Sequence, residues 1–430
     1  MVEIHVVKRG DSIWQLANSY GVSVEMISDA NQLQNPNALV VGQALIIPTS
    51  GRYHRIKQGD TLLTVSEYYR VTVESILRAN QLRGNESIPI GYPLFIPTLA
   101  RQKPVVDVSA YVDLNITGEN SPQVLSEVAQ YLTFVTIFSY ELNADGTLTP
   151  INDQPTIEAA KNQNVAPLMV ITNLKEGAFD TDIATTVLQS EDLQNKLLDE
   201  AISILDEKGY AGIDFDLEYL GAENREPYHQ LLRKARVRLD EKNAYLSSAL
   251  APQTMAGMQG VLYEGHDYAT QGEIVDFVFL MTYEWGWTGG PPMAVAPINQ
   301  VRRVVEYASS VMPSNKIMLG IPLYGYDWTL PYVQGETRAK AIDHQDAIEL
   351  AFKYQAEILF DEQAQSPYFN YWDEAGKQHE VWFEDARSIQ AKFDLIKEFQ
   401  LRGFFYWVLG WDFPQNWLLI EENFTVNKQT

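Results

Sequence analysis

Residues 212–218 read Gly-Ile-Asp-Phe-Asp-Leu-Glu, an alternation of apolar and acidic side chains. Because successive side chains of a β-strand point to opposite faces, Asp214, Asp216 and Glu218 would share one face of a strand. Neighbouring acids would then lie roughly 6.6 Å apart. The alternation alone leaves two interpretations open, an exposed strand with one solvated face and a buried group of carboxylates.

Apolar runs alternate with helical patterns from Pro104 to the C-terminus. Eight runs are predicted to be strands: Val105–Tyr111, Phe134–Tyr140, Pro167–Thr172, Ala211–Glu218, Leu246–Ala251, Phe277–Tyr283, Ile317–Tyr324 and Phe404–Leu409. Strands that alternate with helices form parallel sheets, and eight such units close into a (β/α)8 barrel. The sequence therefore predicts the α/β class, with a TIM barrel over residues 104–430.

One gap between the predicted strands is too long to be a simple loop. Residues 327–385, between the seventh and eighth strands, contain a helical pattern at Asp343–Lys353. A hairpin pattern follows, with its turn at Glu374–Gly376. We expect a small α+β insertion at this point of the barrel.

The barrel decides how the acidic strand is interpreted. As the fourth strand, residues 211–218 would have helices on one side and the barrel interior on the other, so neither face is solvated. Carboxylates in a barrel interior are costly unless they form hydrogen bonds or pair with other groups. Glu218 ends the strand, and the C-terminal ends of barrel strands carry catalytic groups. The sequence therefore predicts a catalytic site built from these acids.

The first hundred residues contain an internal repeat, in which residue i matches residue i+49 without a gap. Gly10–Ser12, for example, aligns with Gly59–Thr61. A fixed period indicates two copies of one supersecondary unit. Each copy, 1–49 and 50–98, is predicted to fold as strand–helix–helix–strand, and a polar linker to Lys103 precedes the barrel.

The charge distribution restricts the class of partner. The net charge of −24 lies in residues 101–430, because the first hundred residues carry equal numbers of basic and acidic side chains. This charge repels nucleic acid and anionic lipid, so we expect neither as a partner. We find no transmembrane run and no signal-peptide pattern. With no cysteine and no ligand-spaced histidine cluster, no metal and no cofactor are expected.

The acidic strand closely resembles the Asp-x-Asp-x-Glu signature of the family-18 glycoside hydrolases, the chitinase-like barrels. Met281–Tyr283 on the sixth strand, Tyr324–Tyr326 after the seventh and Trp407 on the eighth follow the family's order. The resemblance covers residues 104–425. It implies cleavage at an N-acetylated sugar by a substrate-assisted, retaining mechanism.

The resemblance implies a role for each of five residues. Glu218 would be the general acid. Asp216 would stabilise an oxazolinium-like intermediate formed by the sugar's own 2-acetamido group, and Asp214 would share a proton with Asp216. Tyr283 would hold the acetamido oxygen, and Trp407 would form an apolar floor under the sugar. The other predicted substrate-binding residues are Glu284, Trp285, Tyr140, Tyr324 and Tyr326.

The two repeated units closely resemble LysM modules, in their Gly-Asp-Ser/Thr, Ala-Asn and Ile-Pro motifs. Modules of that family bind glycans that contain N-acetylglucosamine, chiefly peptidoglycan and chitin, which would make such a glycan the partner. The alternative for either copy is a spacer between domains. Two such modules before a compact barrel, with Met-Thr-Tyr-Glu-Trp-Gly at 281–286, look like the spore cortex-lytic enzymes of endospore-forming bacteria. That resemblance implies an N-acetylglucosaminidase that degrades cortex peptidoglycan at germination.

Two other functions stay open from the sequence, a LysM-bearing chitinase and, in another class, a catalytically inactive glycan-binding lectin. Lectin barrels of this family typically lose the terminal glutamate of the signature, whereas Glu218 is present. Glu284 stands where many chitinases have Asp, so a substrate contact there would be rearranged. We expect a monomer in the coat and cortex region of the spore, with the cytoplasm as the alternative location.

Overall fold

The computed structural model describes residues 2–49, 51–83, 88–97, 102–411 and 413–428. The predicted domains and linker also include positions outside the described residues: 1, 50, 84–87, 98–101, 412 and 429–430. Within the described ranges, no helix is long and apolar enough to cross a membrane. The same ranges contain no group of three or more His, Cys, Asp or Glu side chains that could hold a metal ion.

Each of the two repeated units has the predicted strand–helix–helix–strand order. The first consists of strands Val2–Val6 and Ala44–Pro48 and helices Ile13–Tyr20 and Val24–Ala30. The second consists of strands Gly51–Arg55 and Pro93–Pro97 and helices Leu62–Tyr69 and Val73–Ala79. The two strands of each unit pair antiparallel. Ser or Thr side chains cap all four helices, each by accepting a hydrogen bond from a backbone N–H of the first turn.

The predicted parallel barrel is confirmed. Its strands, numbered β1 to β8, are Val105–Asp113, Phe134–Glu141, Ala166–Thr172, Gly212–Asp216, Tyr245–Leu250, Phe277–Leu280, Ile317–Pro322 and Gly403–Trp407. Each pairs in parallel with its neighbour, and β8 pairs with β1 to close the barrel. A short strand, Thr425–Val426, pairs in parallel with the first two residues of β1, Val105 and Val106. Strand β4 ends two residues before its predicted end at Glu218, because its ladder with β3 stops at Asp216.

Helices cover the outside of the barrel. The α-helices are Leu114–Thr117, Ser121–Val128, Gln154–Asn162, Thr181–Leu188, Glu191–Lys208, Arg225–Asp240, Val261–Glu264, Tyr268–Ile274, Ile298–Val311, Ala386–Phe399 and Pro414–Asn423. Single 3-10 turns lie at Gly118–Asn120, Ala129–Tyr131, Ala222–Asn224 and Ser314–Lys316. A two-residue hairpin pairs Leu174–Lys175 with Ala178–Phe179.

The α+β insertion predicted between the seventh and eighth strands is confirmed. It contains one helix, His344–Lys353, and a five-stranded antiparallel sheet. In spatial order the strands are Lys340–Ile342, Gly325–Thr329, Gln378–Trp382, Ser366–Trp372 and Leu359–Asp361. Its first strand begins only three residues after β7 ends, so the insertion is built directly on the rim of the barrel.

Two apolar clusters divide the barrel into an inside and an outside. The inner cluster contains Tyr111, Phe138, Val170 and Phe405, among others. The outer cluster packs strand residues against the helices and includes the three apolar residues of the acidic strand, Ile213, Phe215 and Leu217. The alternation read from the sequence is therefore confirmed, and the acids of β4 are directed into the barrel.

Candidate active site

Asp214 lies deepest of the three acids and is fully buried. Its carboxylate accepts hydrogen bonds from the Tyr111 hydroxyl at 2.7 Å and from Ser247 Oγ at 2.7 Å. Burial raises the pKa of Asp214 to about 6, and the two donors act in the opposite direction by stabilising the anion. The acid is thus held in place by residues on β1 and β5.

Asp216 is the middle acid and is also buried. Burial raises its pKa well above the usual range, and the negative charges of Glu218 and Asp214 raise it further. Among the described residues, no group donates a hydrogen bond to its Oδ1 atom. A buried carboxyl oxygen without a partner is costly, so this oxygen is available to a group brought by a ligand.

Glu218 lies two residues beyond the end of β4, at the mouth of the barrel. It is partly exposed, unlike the two aspartates behind it. Loss of solvent raises the pKa of its carboxyl group to about 7. A carboxyl group with such a pKa is protonated in slightly acidic solution and can donate a proton near neutrality.

The backbone around Glu218 is fixed by side chains that the sequence analysis did not single out. Asn173, which follows β3, accepts from the Glu218 N–H at 2.9 Å and donates to the Glu218 carbonyl at 2.9 Å. His266 Nδ1 accepts from the Ala251 N–H, so its Nε2–H donates to the Leu217 carbonyl at 2.9 Å. These contacts replace the strand ladder where β4 has ended.

Replacing Asn173 with alanine should reduce kcat while leaving KM nearly unchanged. Both hydrogen bonds to the Glu218 backbone would be lost, and a displacement of about 1 Å in a catalytic group costs on the order of 10²-fold. Steady-state kinetics on a soluble N-acetylglucosamine oligosaccharide would measure the effect, with the exposed Asn162→Ala as control. A kcat close to that of the native protein would exclude this positioning role.

Tyr283 and Trp407 lie at the same end of the barrel as the acids. Burial raises the pKa of the Tyr283 hydroxyl, and the charges of Asp216 and Glu218 raise it further, so the hydroxyl stays protonated and can donate. Trp407 is partly exposed, and its ring packs edge-on against Tyr111 at 5.4 Å between ring centres. Tyr111 in turn donates to Asp214, which links the tryptophan to the acids.

Glu284 and two predicted aromatic residues form a second group beside the acids. The hydroxyls of Tyr324 and Tyr326 both donate to Glu284 Oε1, the second at 2.9 Å. Glu284 keeps an exposed surface, but loss of solvent around its carboxyl group raises its pKa, while the two donors lower it. The insertion therefore contributes Tyr326 to the rim of the site.

The structure does not bring Tyr140 to the acids. Tyr140 is buried in the outer cluster, where its hydroxyl donates to Asp153 at 2.6 Å and accepts from Lys208 at 2.8 Å. The cause is a register shift between Ile137 and Tyr140 in the pairing of β2 with β3, which breaks the inside–outside alternation. Trp285 is partly buried against the same outer cluster.

The chain matches two known families over most of its length. Residues 107–412 match the family described as Glycosyl hydrolases family 18, and residues 5–48 and 54–97 each match the LysM domain. The chain is 51% identical to the "Cortical fragment-lytic enzyme" of Bacillus subtilis (strain 168), over 100% of both chains.

Solved structures show the same likeness. The crystal structure of the Bacillus megaterium QM B1551 spore cortex-lytic enzyme SleL is similar to this chain with a TM-score of 0.92 and 44% identity, over 100% of this chain and 99% of that one. A chitinase from Chromobacterium violaceum ATCC 12472 is similar with a TM-score of 0.68 and 23% identity, over 74% of this chain and 99% of the chitinase. At that identity the likeness to the chitinase concerns the fold alone.

Proposed function

We propose that this chain is an N-acetylglucosaminidase of spore cortex peptidoglycan. The chain belongs to family 18 of the glycosyl hydrolases and carries two LysM domains. The chain keeps Glu218 of the family signature and is similar over its full length to a cortical fragment-lytic enzyme, which together favour a glycosidase over the lectin alternative. Its full-length likeness to cortical fragment-lytic and spore cortex-lytic enzymes supports the cortex as substrate. We extend the proposal to a monomer that acts in the cortex region of the spore.

The observation that carries the proposal is the pairing of a proton donor with an unpartnered buried oxygen. Glu218 has a pKa of about 7 and stands at the mouth of the barrel. Asp216 lies two residues before Glu218 and points into the barrel. Its buried Oδ1 atom receives no hydrogen bond from the described residues. The N–H of a 2-acetamido group would supply the missing donor, which favours a substrate with an N-acetylated sugar at the cleavage position.

In the proposed mechanism, Glu218 protonates the glycosidic oxygen and the leaving chain departs. The carbonyl oxygen of the 2-acetamido group attacks the anomeric carbon of its own sugar and forms an oxazolinium-like ring. Asp216 accepts a hydrogen bond from the acetamido N–H and stabilises the positive charge that develops. Glu218, now ionised, removes a proton from water, which opens the ring. Two inversions at one carbon give net retention of configuration.

The remaining residues orient the sugar and maintain the charge state of the acids. Asp214 lies deeper in the barrel than Asp216 and either carries a negative charge or shares a proton with Asp216. Hydrogen bonds from Tyr111 and Ser247 fix the position of Asp214. The Tyr283 hydroxyl donates to the acetamido oxygen and aligns it for attack. Trp407 packs under the sugar ring. Tyr140 has no part in the mechanism, because it lies in the outer cluster.

The chemistry of the cleavage position favours N-acetylglucosamine over N-acetylmuramic acid. The muramic sugar carries an anionic lactyl ether, and the site is lined by Glu218, Asp216 and Glu284 in a chain with a net charge of −24. Repulsion between like charges disfavours the muramic sugar at that position. A LysM-bearing chitinase remains the alternative, because chitin contains the same N-acetylated sugar.

Mass spectrometry of the products from purified cortex glycan tests the proposal. New reducing ends should be N-acetylglucosamine. Reducing the enzyme's products with borohydride, before they are broken down by acid for analysis, would label the sugar at each new reducing end. Reducing ends of muramic acid would contradict the assignment. The chitinase alternative predicts instead that chitin oligosaccharides are cleaved with a much higher kcat/KM than cortex glycan of similar length.

A further inference from the structure

The two LysM modules have nearly the same fold but very different surroundings. Val40 of the first module belongs to the apolar core of the insertion, together with Ile348 and Ile358. Ala30 and Ala44 of the same module join the outer cluster of the barrel. The apolar cluster of the second module contains residues of that module alone.

Hydrogen bonds connect the first module to three parts of the catalytic domain. The Ile358 N–H of the insertion donates to the Val41 carbonyl at 2.9 Å. Arg387, in the first turn of helix Ala386–Phe399, donates to the Gly42 carbonyl at 3.1 Å. Gln415, in helix Pro414–Asn423, donates to Asn31 Oδ1 at 2.9 Å. Asn31 and Gln415 are each 1% exposed.

Positions related by the 49-residue repeat show that this contact is specific to one copy. Ala30 is buried, whereas its equivalent Ala79 is exposed. Gln43 is 2% exposed, whereas its equivalent Tyr92 is 37% exposed. Positions 79 and 92 of the second module are therefore exposed to solvent, whereas the equivalent positions 30 and 43 of the first module are buried against the catalytic domain.

We propose that the first LysM module is a fixed part of the catalytic domain, which supports the insertion at the rim of the active site, and that the second module gives the insertion no such support. The insertion gains Val40 for its core and a backbone hydrogen bond at Ile358 from this contact. Its strand Gly325–Thr329 carries Tyr326, which donates to Glu284. Loss of the contact would loosen the element that positions this side of the site.

Gly42 and Gly91 provide a matched pair of test positions. They are equivalent in the repeat and adopt the same left-handed conformation, with φ of +86° and +85°. Alanine therefore meets the same backbone strain at both positions. A Cβ at Gly42 would lie 1.8 Å from the Ile358 carbonyl oxygen, whereas a Cβ at Gly91 would have no atom of the described residues within 4 Å, apart from its own chain neighbours. Any difference between G42A and G91A isolates the docking contact.

Hydrogen–deuterium exchange on the full-length chain is the direct test. G42A should accelerate exchange in the insertion helix His344–Lys353 by about tenfold or more, because the insertion loses a supporting surface. G91A should leave exchange in that helix as in the native protein. On a soluble oligosaccharide, G42A should lower kcat/KM by about tenfold, within the range that a small misplacement produces, and G91A should not. Equal exchange in the insertion for the two variants would overturn the proposal.

A second variant, Q415A, tests the same contact from the barrel side and decides the matter if G42A does not fold. It removes the hydrogen bond to Asn31 without altering either module. Faster exchange in both Val24–Ala30 and the insertion, with unchanged exchange in β1 to β8, would support docking, and unchanged exchange in the module would refute it. The exchange readout does not depend on the proposed activity, so failure of that activity would be distinguishable from failure of docking.

Discussion

Glu218→Gln should abolish turnover while the protein remains folded. Glutamine keeps the size and polarity of the side chain but has no proton to transfer to the glycosidic oxygen. General acid catalysis contributes about 10²–10⁴-fold, and the acetamido nucleophile depends on the same proton for departure of the leaving group. Single-turnover assays on a fluorogenic N-acetylglucosamine oligosaccharide would measure the loss. Activity within tenfold of the native protein would remove Glu218 from this role.

Glu207→Gln is the matched control, because Glu207 is an exposed glutamate on the helix that precedes β4. It should leave kcat and KM unchanged.

The native protein should lose activity as the pH rises above about 7, because Glu218 then releases the proton that it must donate. A pH optimum well on the alkaline side would contradict this assignment of the acid.

Glu218→Gln should also change the stability of the folded protein, by an amount that depends on pH. The pKa of Glu218 is about 7 in the folded protein and near 4.5 in an unfolded chain, so the folded state binds the proton more tightly. The stability contributed by that proton is fully present below about pH 4.5 and is lost as the pH rises through about 7. Glu218→Gln should therefore unfold at a higher temperature than the native protein at pH 8, and the difference should vanish near pH 4. A lower melting temperature at pH 8 would contradict the loss of solvent around this carboxyl group as the cause of its raised pKa.

A substrate without the N-acetyl group at the cleavage position should not react at all. The proposed nucleophile is the acetamido oxygen of the substrate, so its removal leaves no group to attack the anomeric carbon, however well the sugar binds. Matched oligosaccharides that differ only in acetylation of that sugar would provide the comparison, and binding measured by calorimetry would control for affinity. Cleavage of the deacetylated sugar at more than a trace rate would exclude the mechanism.

The anomeric configuration gives an independent measure of the same mechanism. NMR in the first moments of reaction should detect the β-anomer of the new reducing end, because both displacements occur at one carbon. An inverted anomer would require direct attack by water and would exclude the oxazolinium route. A thiazoline analogue of N-acetylglucosamine, which mimics the cyclised intermediate, should inhibit competitively.

Much of the site follows from strand periodicity, and the exceptions have identifiable causes. The period-two pattern correctly directs Asp214 and Asp216 into the barrel, because alternation is a property of each strand by itself. Tyr111 sits at an inward position of β1 and could have been found by the same argument. Tyr140 departs from the pattern because the register of β2 shifts just before it. Such a shift depends on pairing with a neighbouring strand, which local sequence does not encode.

The sequence by itself determined the repeat, the order of strands and helices, the insertion, and the face of β4 that carries the acids. Each is a local pattern or a match between two segments of the chain. Only the tertiary structure decided that Asn173 holds the backbone of Glu218 and that the first LysM module packs on the barrel and on its insertion. Gly42 and Gly91 have the same conformation and matching neighbours in the repeat, yet a Cβ at Gly42 would collide with Ile358, whereas a Cβ at Gly91 would meet no described residue within 4 Å beyond its chain neighbours. The difference arises because docking depends on the complementary surface of another part of the chain, which no local pattern in either module contains.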